Sequence, residues 1–183
     1  SFSLTVSSKA FCVINDEVED KMRASVEKAR LDGDSVGGVI ECAVVGVPVG
    51  IGANIFSTVE GHISSALFGV PAVKGVEFGA GFDFAKMTGY EANDTYSISN
   101  GNVKINKNNN GGVLGGMTTG APIIVRAVVK PTPSISKAQK SVNLQKMTEE
   151  ELVIHGRHDP CIVPRAVPVV ESAVAFALLD LMA

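Results

Sequence analysis

Residues 95–106, TYSISNGNVKIN, place Asn100 and Gly101 between two short runs in which apolar and polar side chains alternate. Alternation with a period of two is typical of a β-strand, and Asn-Gly between two such runs favours the type I′ turn of a two-residue hairpin. Strands joined by so short a loop pair in opposite directions. We therefore expect antiparallel sheet in this chain.

Amphipathic helices accompany this hairpin. In residues 16–31, apolar side chains recur every three or four positions, acids occupy the first turn, and Gly33 follows the last turn. This pattern predicts a helix that ends just before Gly33. Ser57 and Glu60 have the spacing of a capping box, which predicts a second helix that ends before Pro71.

Three further segments predict strands, and one predicts a last helix. Residues 39–45 are rich in β-branched side chains, as a buried strand is, and residues 72–78 and 122–129 predict two more strands. Pro168 is expected to open a nearly all-apolar helix that runs through Leu181, because proline is favoured at the first helical position. The chain therefore mixes helices with strands.

Composition limits the kind of protein. With 183 residues, 45% hydrophobic and 19% charged, the chain is long enough for one packed domain, which we expect to span residues 1–183. A formal net charge of −3 and the lack of a basic cluster give no reason to expect nucleic-acid or membrane partners. The three cysteines, Cys12, Cys42 and Cys161, form no C-x-x-C pair, which fits a reducing cytoplasm.

Residues 156–161, GRHDPC, carry a cation, an imidazole, a carboxylate and a thiol within six positions. Pro160 disfavours helical backbone at Asp159, so the segment is expected to be extended. In extended backbone Arg157 and Asp159 share one side and His158 the other. The motif therefore predicts an Arg and an Asp directed at one site, and the alternative is an Arg157–Asp159 ion pair that only braces the loop.

A metal site is a less favoured interpretation of the same region. His155, His158 and Cys161 have the spacing H-x-x-H-x-x-C. Such a set lacks a fourth ligand, and Pro160 breaks the helical spacing that would align the three side chains. We therefore expect no metal here.

Two more segments suit a ligand. Residues 108–120, NNNGGVLGGMTTG, contain five glycines that permit close approach of backbone to a ligand, although a tight turn explains them equally well. Residues 130–136, KPTPSIS, hold Lys130 and several hydroxyls on a backbone stiffened by two prolines. Lysine and hydroxyls suit a phosphate, and the alternative is a stiff surface turn.

Five motifs, taken in order and with their spacing, resemble the C-terminal half of the chorismate synthases. The resemblance covers nearly the whole chain, from Phe11 onward. It implies that the N-terminal half of a complete enzyme is absent. The motifs occupy residues 33–38, 70–82, 108–116, 130–136 and 156–171.

The resemblance implies a fold and an activity. The fold is of the α+β class, a β-α-β sandwich in which antiparallel sheets flank helices, and the complete enzyme is a cytoplasmic homotetramer. The activity is that of a lyase that eliminates phosphate from 5-enolpyruvylshikimate 3-phosphate to give chorismate in aromatic amino-acid biosynthesis, with reduced FMN. We expect this chain alone to be inactive without the missing half. The alternative is a stand-alone FMN- or phosphate-binding module or a structural oligomerisation module.

The resemblance also implies site residues. Asp159 matches the acid of the family that assists proton transfer. Two departures from the family pattern, Asn110 and Ala80, do not remove an expected ligand contact. The residues implied to line the FMN site are Pro71, Ala72, Gly115, Lys130, Pro131, Thr132, Pro133, Ser134 and Arg157.

Overall fold

The computed structural model describes residue 9 and residues 11–53 and 55–183. The helices are α1 (Asp16–Leu31), α2 (Val59–Phe68), α3 (Gly89–Ala92) and α4 (Val163–Met182), and a 3-10 helix covers Gly81–Lys86. The strands are β1 (Gly38–Val44), β2 (Val73–Phe78), β3 (Tyr96–Ser99), β4 (Asn102–Ile105), β5 (Val113–Leu114), β6 (Met117–Thr118), β7 (Ile123–Val129), β8 (Gln139–Asn143) and β9 (Thr148–Leu152). Helices mixed with antiparallel hairpins confirm the α+β class. No helix in the described ranges is both long and apolar enough to cross a membrane.

The chain divides into two compact units. The first combines the stretch that ends at Gly38 with Val129–Val167, and the second combines Val39–Val128 with Pro168–Ala183. The expectation of a single domain over residues 1–183 stays a prediction.

The second unit contains a three-stranded sheet in the order β1-β7-β2. Its β7–β2 pair is antiparallel, because Arg126 binds Glu77 at 2.9 Å while Gly79 N–H donates to Ile124 O at 3.0 Å. Residue numbers therefore rise along one strand as they fall along the other. Alternate side chains of β7 are buried, as expected for a strand with one face against a core.

The core of the second unit is built from apolar stripes of its helices and strands. Full burial of each such side chain contributes about 1.5–3 kcal/mol relative to exposure. The largest side chains that are under 2% exposed in this core are those of Val59, Ile63, Leu67, Ile123, Val125, Val170 and Val174.

The predicted hairpin is present. Strands β3 and β4 pair antiparallel with Ser99 opposite Asn102. Asn100 and Gly101 have φ of 50° and 76°, the positive values that a type I′ turn requires. A second hairpin, β8–β9, was not predicted, because its strands are largely exposed and no Asn-Gly or Gly-Gly pair marks its turn.

Helix α1 was predicted to the residue, but two other helix starts were wrong. The N-cap of α2 is Thr58, whose hydroxyl accepts from Gly61 N–H at 3.0 Å, rather than Ser57. Helix α4 begins at Val163, so Pro168 lies inside it rather than opening it. Pro168 is the sixth residue of the helix, where it lacks the N–H that would donate to the carbonyl of Pro164.

Candidate functional site

One hydrogen bond joins two of the motifs of the first unit. Ser134, in the segment KPTPSIS, lies with its Oγ 3.0 Å from Nδ1 of His158, in the segment GRHDPC. Both side chains are partly buried. Segments that are 24 residues apart in the sequence therefore meet at a polar contact.

The motif at residues 33–38, GDSVGG, contacts both of these segments. Ser35 Oγ donates to the carbonyl of Thr132 at 2.6 Å, and Val36 N–H donates to the carbonyl of Pro160 at 2.9 Å. These two neighbours thus tie one segment to the other through the backbone. Sequence reasoning used this motif for the resemblance and missed its bridging role.

Close packing and an ion pair support the bridge. A Cβ on Gly37 would lie 2.4 Å from the carbonyl oxygen of Val129 and 3.0 Å from the ring of Pro131, so only glycine fits there. Asp34 binds Lys137 at 2.8 Å. The Lys137 ammonium lowers the pKa of the Asp34 carboxyl, and the Ser35 N–H adds to this effect.

Asp159 is held by two groups. Its Oδ1 accepts from Cys161 N–H at 3.1 Å, and its Oδ2 forms an ion pair with Arg165. Arg157 is exposed and takes part in no ion pair among the described residues. The bracing partner of Asp159 is therefore Arg165, in the first turn of α4, and not Arg157 as the alternative interpretation required.

Three groups in this unit lack a protein partner among the described residues. Lys130 and Arg157 are exposed, and neither forms an ion pair in the described part of the chain. Thr132 Oγ1 is buried and has no hydrogen-bond partner among the described residues. Two cations and a buried hydroxyl without a partner suit a ligand that carries an anionic group and polar edges.

The second unit joins the two other motifs. Ala80 N–H donates to the carbonyl of Asn109 at 2.7 Å. Asp94 accepts from Asn109 N–H at 2.7 Å, from Asn110 N–H at 3.0 Å and from the Asn110 side chain at 2.9 Å. Asn110, which differs from the family pattern, therefore anchors the glycine-rich loop to Asp94.

The remaining predicted site residues lie at turns of the second unit. Pro71 is exposed between α2 and β2, and Ala72 has a φ of 73°, a left-handed conformation that is strained for any residue except glycine. Gly115 forms the β5–β6 turn together with Gly116, with φ of 62° and 84°. Gly115 therefore lies in a tight turn, which was one of the two interpretations of the glycine-rich segment.

Comparison with known proteins covers almost the whole chain. The family model described as chorismate synthase matches residues 2–183. The chain belongs to the chorismate synthase family. It is 51% identical over 166 residues to the chorismate synthase of Korarchaeum cryptofilum, which covers 91% of this chain and 46% of that relative. It is also 51% identical over 177 residues to the chorismate synthase of Thermococcus gammatolerans, which covers 97% of this chain and 49% of that relative.

A solved structure supports the same assignment. The chain matches a crystal structure of chorismate synthase with a TM-score of 0.71 and 30% identity, over 90% of this chain and 42% of the other. Both the family and the fold expected from the five motifs are confirmed. The chain spans about half the length of the curated chorismate synthases that it matches.

The metal interpretation finds no support in the geometry. Within residues 11–53 and 55–183, no group of three His, Cys, Asp or Glu side chains could hold a metal ion. Both ring nitrogens of His158 already face protein oxygens, Ser134 Oγ at 3.0 Å and Ile154 O at 2.9 Å. Sequence reasoning placed His158 opposite to Arg157 and Asp159 and gave it no partner.

Proposed function

We propose that this chain carries the flavin-binding part of a chorismate synthase. The proposed activity of the complete enzyme is the elimination of phosphate and a ring proton from 5-enolpyruvylshikimate 3-phosphate to give chorismate. We expect the complete enzyme to be a homotetramer in the cytoplasm. Family membership supports this proposal. The observation that carries it is the set of hydrogen bonds among Ser35, Thr132, Ser134 and His158, which gathers three family motifs at one place.

The proposed cofactor is FMN in its reduced form. In the first unit Lys130 and Arg157 offer charge to its phosphate, and Thr132 has a buried hydroxyl that lacks a partner in the described part of the chain. Pro131, Pro133 and Ser134 complete this set in the first unit. The family resemblance separately implies flavin contacts from Pro71, Ala72 and Gly115. When bound, reduced FMN supplies an electron-rich ring that the elimination requires, although the reaction has no net redox change.

Asp159 is the proposed group for proton transfer. In the elimination a ring C–H bond breaks and its proton leaves, its electron pair forms a new double bond, the existing double bond shifts, and the C–O bond to phosphate breaks. A carboxylate held in one orientation is suited to move such a proton. Arg165 and the Cys161 N–H fix Asp159 in the structure, and each occupies one of its oxygens.

Flavin titration tests the binding part of the proposal. Lys130→Ala and Arg157→Ala are each expected to weaken FMN binding about tenfold or more, because each removes a charge-assisted contact to the phosphate. Lys140→Ala, at an exposed lysine of the same unit, is the matched control and should leave affinity unchanged. Equal affinity in all four proteins would contradict the assignment, and self-association without any FMN binding would favour a structural oligomerisation module.

Turnover tests the role of Asp159. In the 183-residue chain supplemented with the part of a relative that it does not cover, Asp159→Asn should lower the single-turnover rate about 100- to 10,000-fold. FMN affinity and melting temperature should change little, because the amide keeps the shape of the carboxylate. If Asp159→Asn lowers FMN affinity and melting temperature as much as Arg157→Ala does, Asp159 has a structural role and is not the proton-transfer group.

A further inference from the structure

The hydrogen bonds of His158 define which of its nitrogens carries the proton. Nε2 lies 2.9 Å from the backbone carbonyl oxygen of Ile154. A carbonyl oxygen can only accept, so Nε2 must be the donor. In a neutral imidazole the other nitrogen, Nδ1, is then an acceptor.

The assignment of His158 fixes the direction of the Ser134 hydroxyl. Ser134 Oγ lies 3.0 Å from Nδ1, and an acceptor nitrogen requires that the hydroxyl donate its hydrogen to it. A serine hydroxyl has one hydrogen and two lone pairs. Once its hydrogen points at His158, only the lone pairs of Ser134 remain for a ligand.

We propose that His158 is a positioning residue that turns Ser134 into a hydrogen-bond acceptor for the bound ligand. The inference rests on the proposed function, in which that ligand is FMN. The phosphate oxygens of FMN are acceptors and cannot donate to Ser134. The partner of Ser134 is therefore an N–H of the flavin ring or an O–H of the sugar-like chain.

Thr132 and Ser134, both in the segment KPTPSIS, differ in the state of their hydroxyl hydrogens. Thr132 Oγ1 is buried and has no hydrogen-bond partner among the described residues, so its hydrogen is not committed to a protein acceptor there. Ser134 has already committed its hydrogen to His158. The sequence shows two similar hydroxyls, whereas among the described residues only that of Ser134 has a partner for its hydrogen.

Nitrogen-15 NMR of the ligand-free chain tests the positioning step directly. At mildly alkaline pH, His158 should show a protonated Nε2 and an unprotonated Nδ1. Ser134→Ala should perturb Nδ1 and leave Nε2 bound to the Ile154 carbonyl. The opposite tautomer, or a ring protonated on both nitrogens, would overturn the proposal.

Titration with FMN, riboflavin and inorganic phosphate tests the ligand step. Riboflavin lacks the phosphate of FMN and keeps its ring and hydroxyl donors. Ser134→Ala should weaken both flavins by the same factor, about three- to tenfold, as loss of one hydrogen bond does. A loss for FMN alone, or weaker binding of inorganic phosphate, would show that Ser134 donates to phosphate and would overturn the proposal.

Variants of His158 separate positioning from a merely structural role. His158→Leu should weaken both flavins about two- to fivefold, whereas His158→Asn should restore affinity, because its amide oxygen can accept from Ser134. His155→Leu, at an exposed histidine of the same segment, is the matched control. If affinity follows melting temperature in all three variants, His158 has no positioning role. If the unmodified chain binds neither flavin, the FMN proposal fails, while the NMR result still decides the tautomer.

Discussion

Gly115 and Gly116 are neighbours in one turn, but their surroundings differ. A Cβ on Gly115 would meet no atom of the described residues within 4 Å, whereas a Cβ on Gly116 would lie 2.7 Å from the carbonyl of Ala53 and from the side chain of Thr58. Both have positive φ. The backbone of Gly116 is therefore packed against protein, and the side of Gly115 is open.

Alanine at these two positions should have unequal effects. Gly115→Ala should cost about 1–2 kcal/mol, because it only forces a side chain into left-handed backbone. Gly116→Ala should cost about 2–5 kcal/mol, because steric overlap adds about 1–3 kcal/mol to the same strain. Denaturant unfolding of both variants measures the difference, and equal destabilisation would contradict the packing described for Gly116.

Cys42 should be a slow nucleophile. Burial, and secondarily the negative charge of Glu171, raise the pKa of its thiol to about 11. Only about one thiol in a thousand is then ionised at about pH 8, and the thiolate is the reactive form. Alkylation followed by peptide mass spectrometry should show a rate that rises about tenfold per pH unit towards that pKa.

Glu171→Gln is the matched variant for this measurement. It removes the negative charge and keeps the shape, so it should lower the pKa of Cys42 and speed its alkylation. Denatured protein supplies the rate of an unperturbed thiol. If native Cys42 reacts as fast as the denatured thiol, the burial described for it is wrong.

At the scale of the elements, the loop of residues 108–112 depends on Asp94. Burial acts to raise the pKa of Asp94, but hydrogen bonds from Asn110 and Asn109 outweigh it, so the pKa lies below its ordinary value. A depressed pKa in the folded state stabilises the fold above the unfolded-state pKa of about 3.9, and this stabilisation is lost as pH falls through the folded-state value.

Asp94→Ala should therefore destabilise the chain in a pH-dependent way. At neutral pH it should cost about 2–3 kcal/mol, because donors to a charged group lose their acceptor. The difference from the parent protein should shrink below about pH 4 as Asp94 becomes protonated. Asp180→Ala, at an exposed position of α4, is the control. A difference that is constant with pH would contradict the anchoring role.

Elements with strong local signals could be predicted, and those set by distant contacts could not. The Asn100-Gly101 turn and the apolar period of α1 are local, and both were predicted correctly. The hairpin β8–β9 gives no such signal, because its side chains are mostly exposed on both faces. Helix α4 starts at Val163, five residues before Pro168, and the preference of proline for the first helical position does not predict those five residues.

At the scale of the molecule, each unit gathers its own family motifs. The contact between Ser35 and Thr132 joins residues 97 positions apart in the first unit, and the contact between Asp94 and Asn109 does the same over 15 positions in the second. The sequence predicted which segments carry polar side chains. It could not predict that Arg165 pairs with Asp159, or that His158 faces Ser134, because both pairings depend on how the backbone turns around Pro160.

The measurement that tests the account most directly is chorismate formation from 5-enolpyruvylshikimate 3-phosphate with reduced FMN, followed in single turnover without oxygen. The chain spans about half the length of the chorismate synthases that it matches. We therefore predict that the 183 residues alone form no chorismate. When the part of a relative that they do not cover is added, we predict that chorismate forms. Chorismate formed by the unsupplemented chain, or none formed by the supplemented one, would contradict the account.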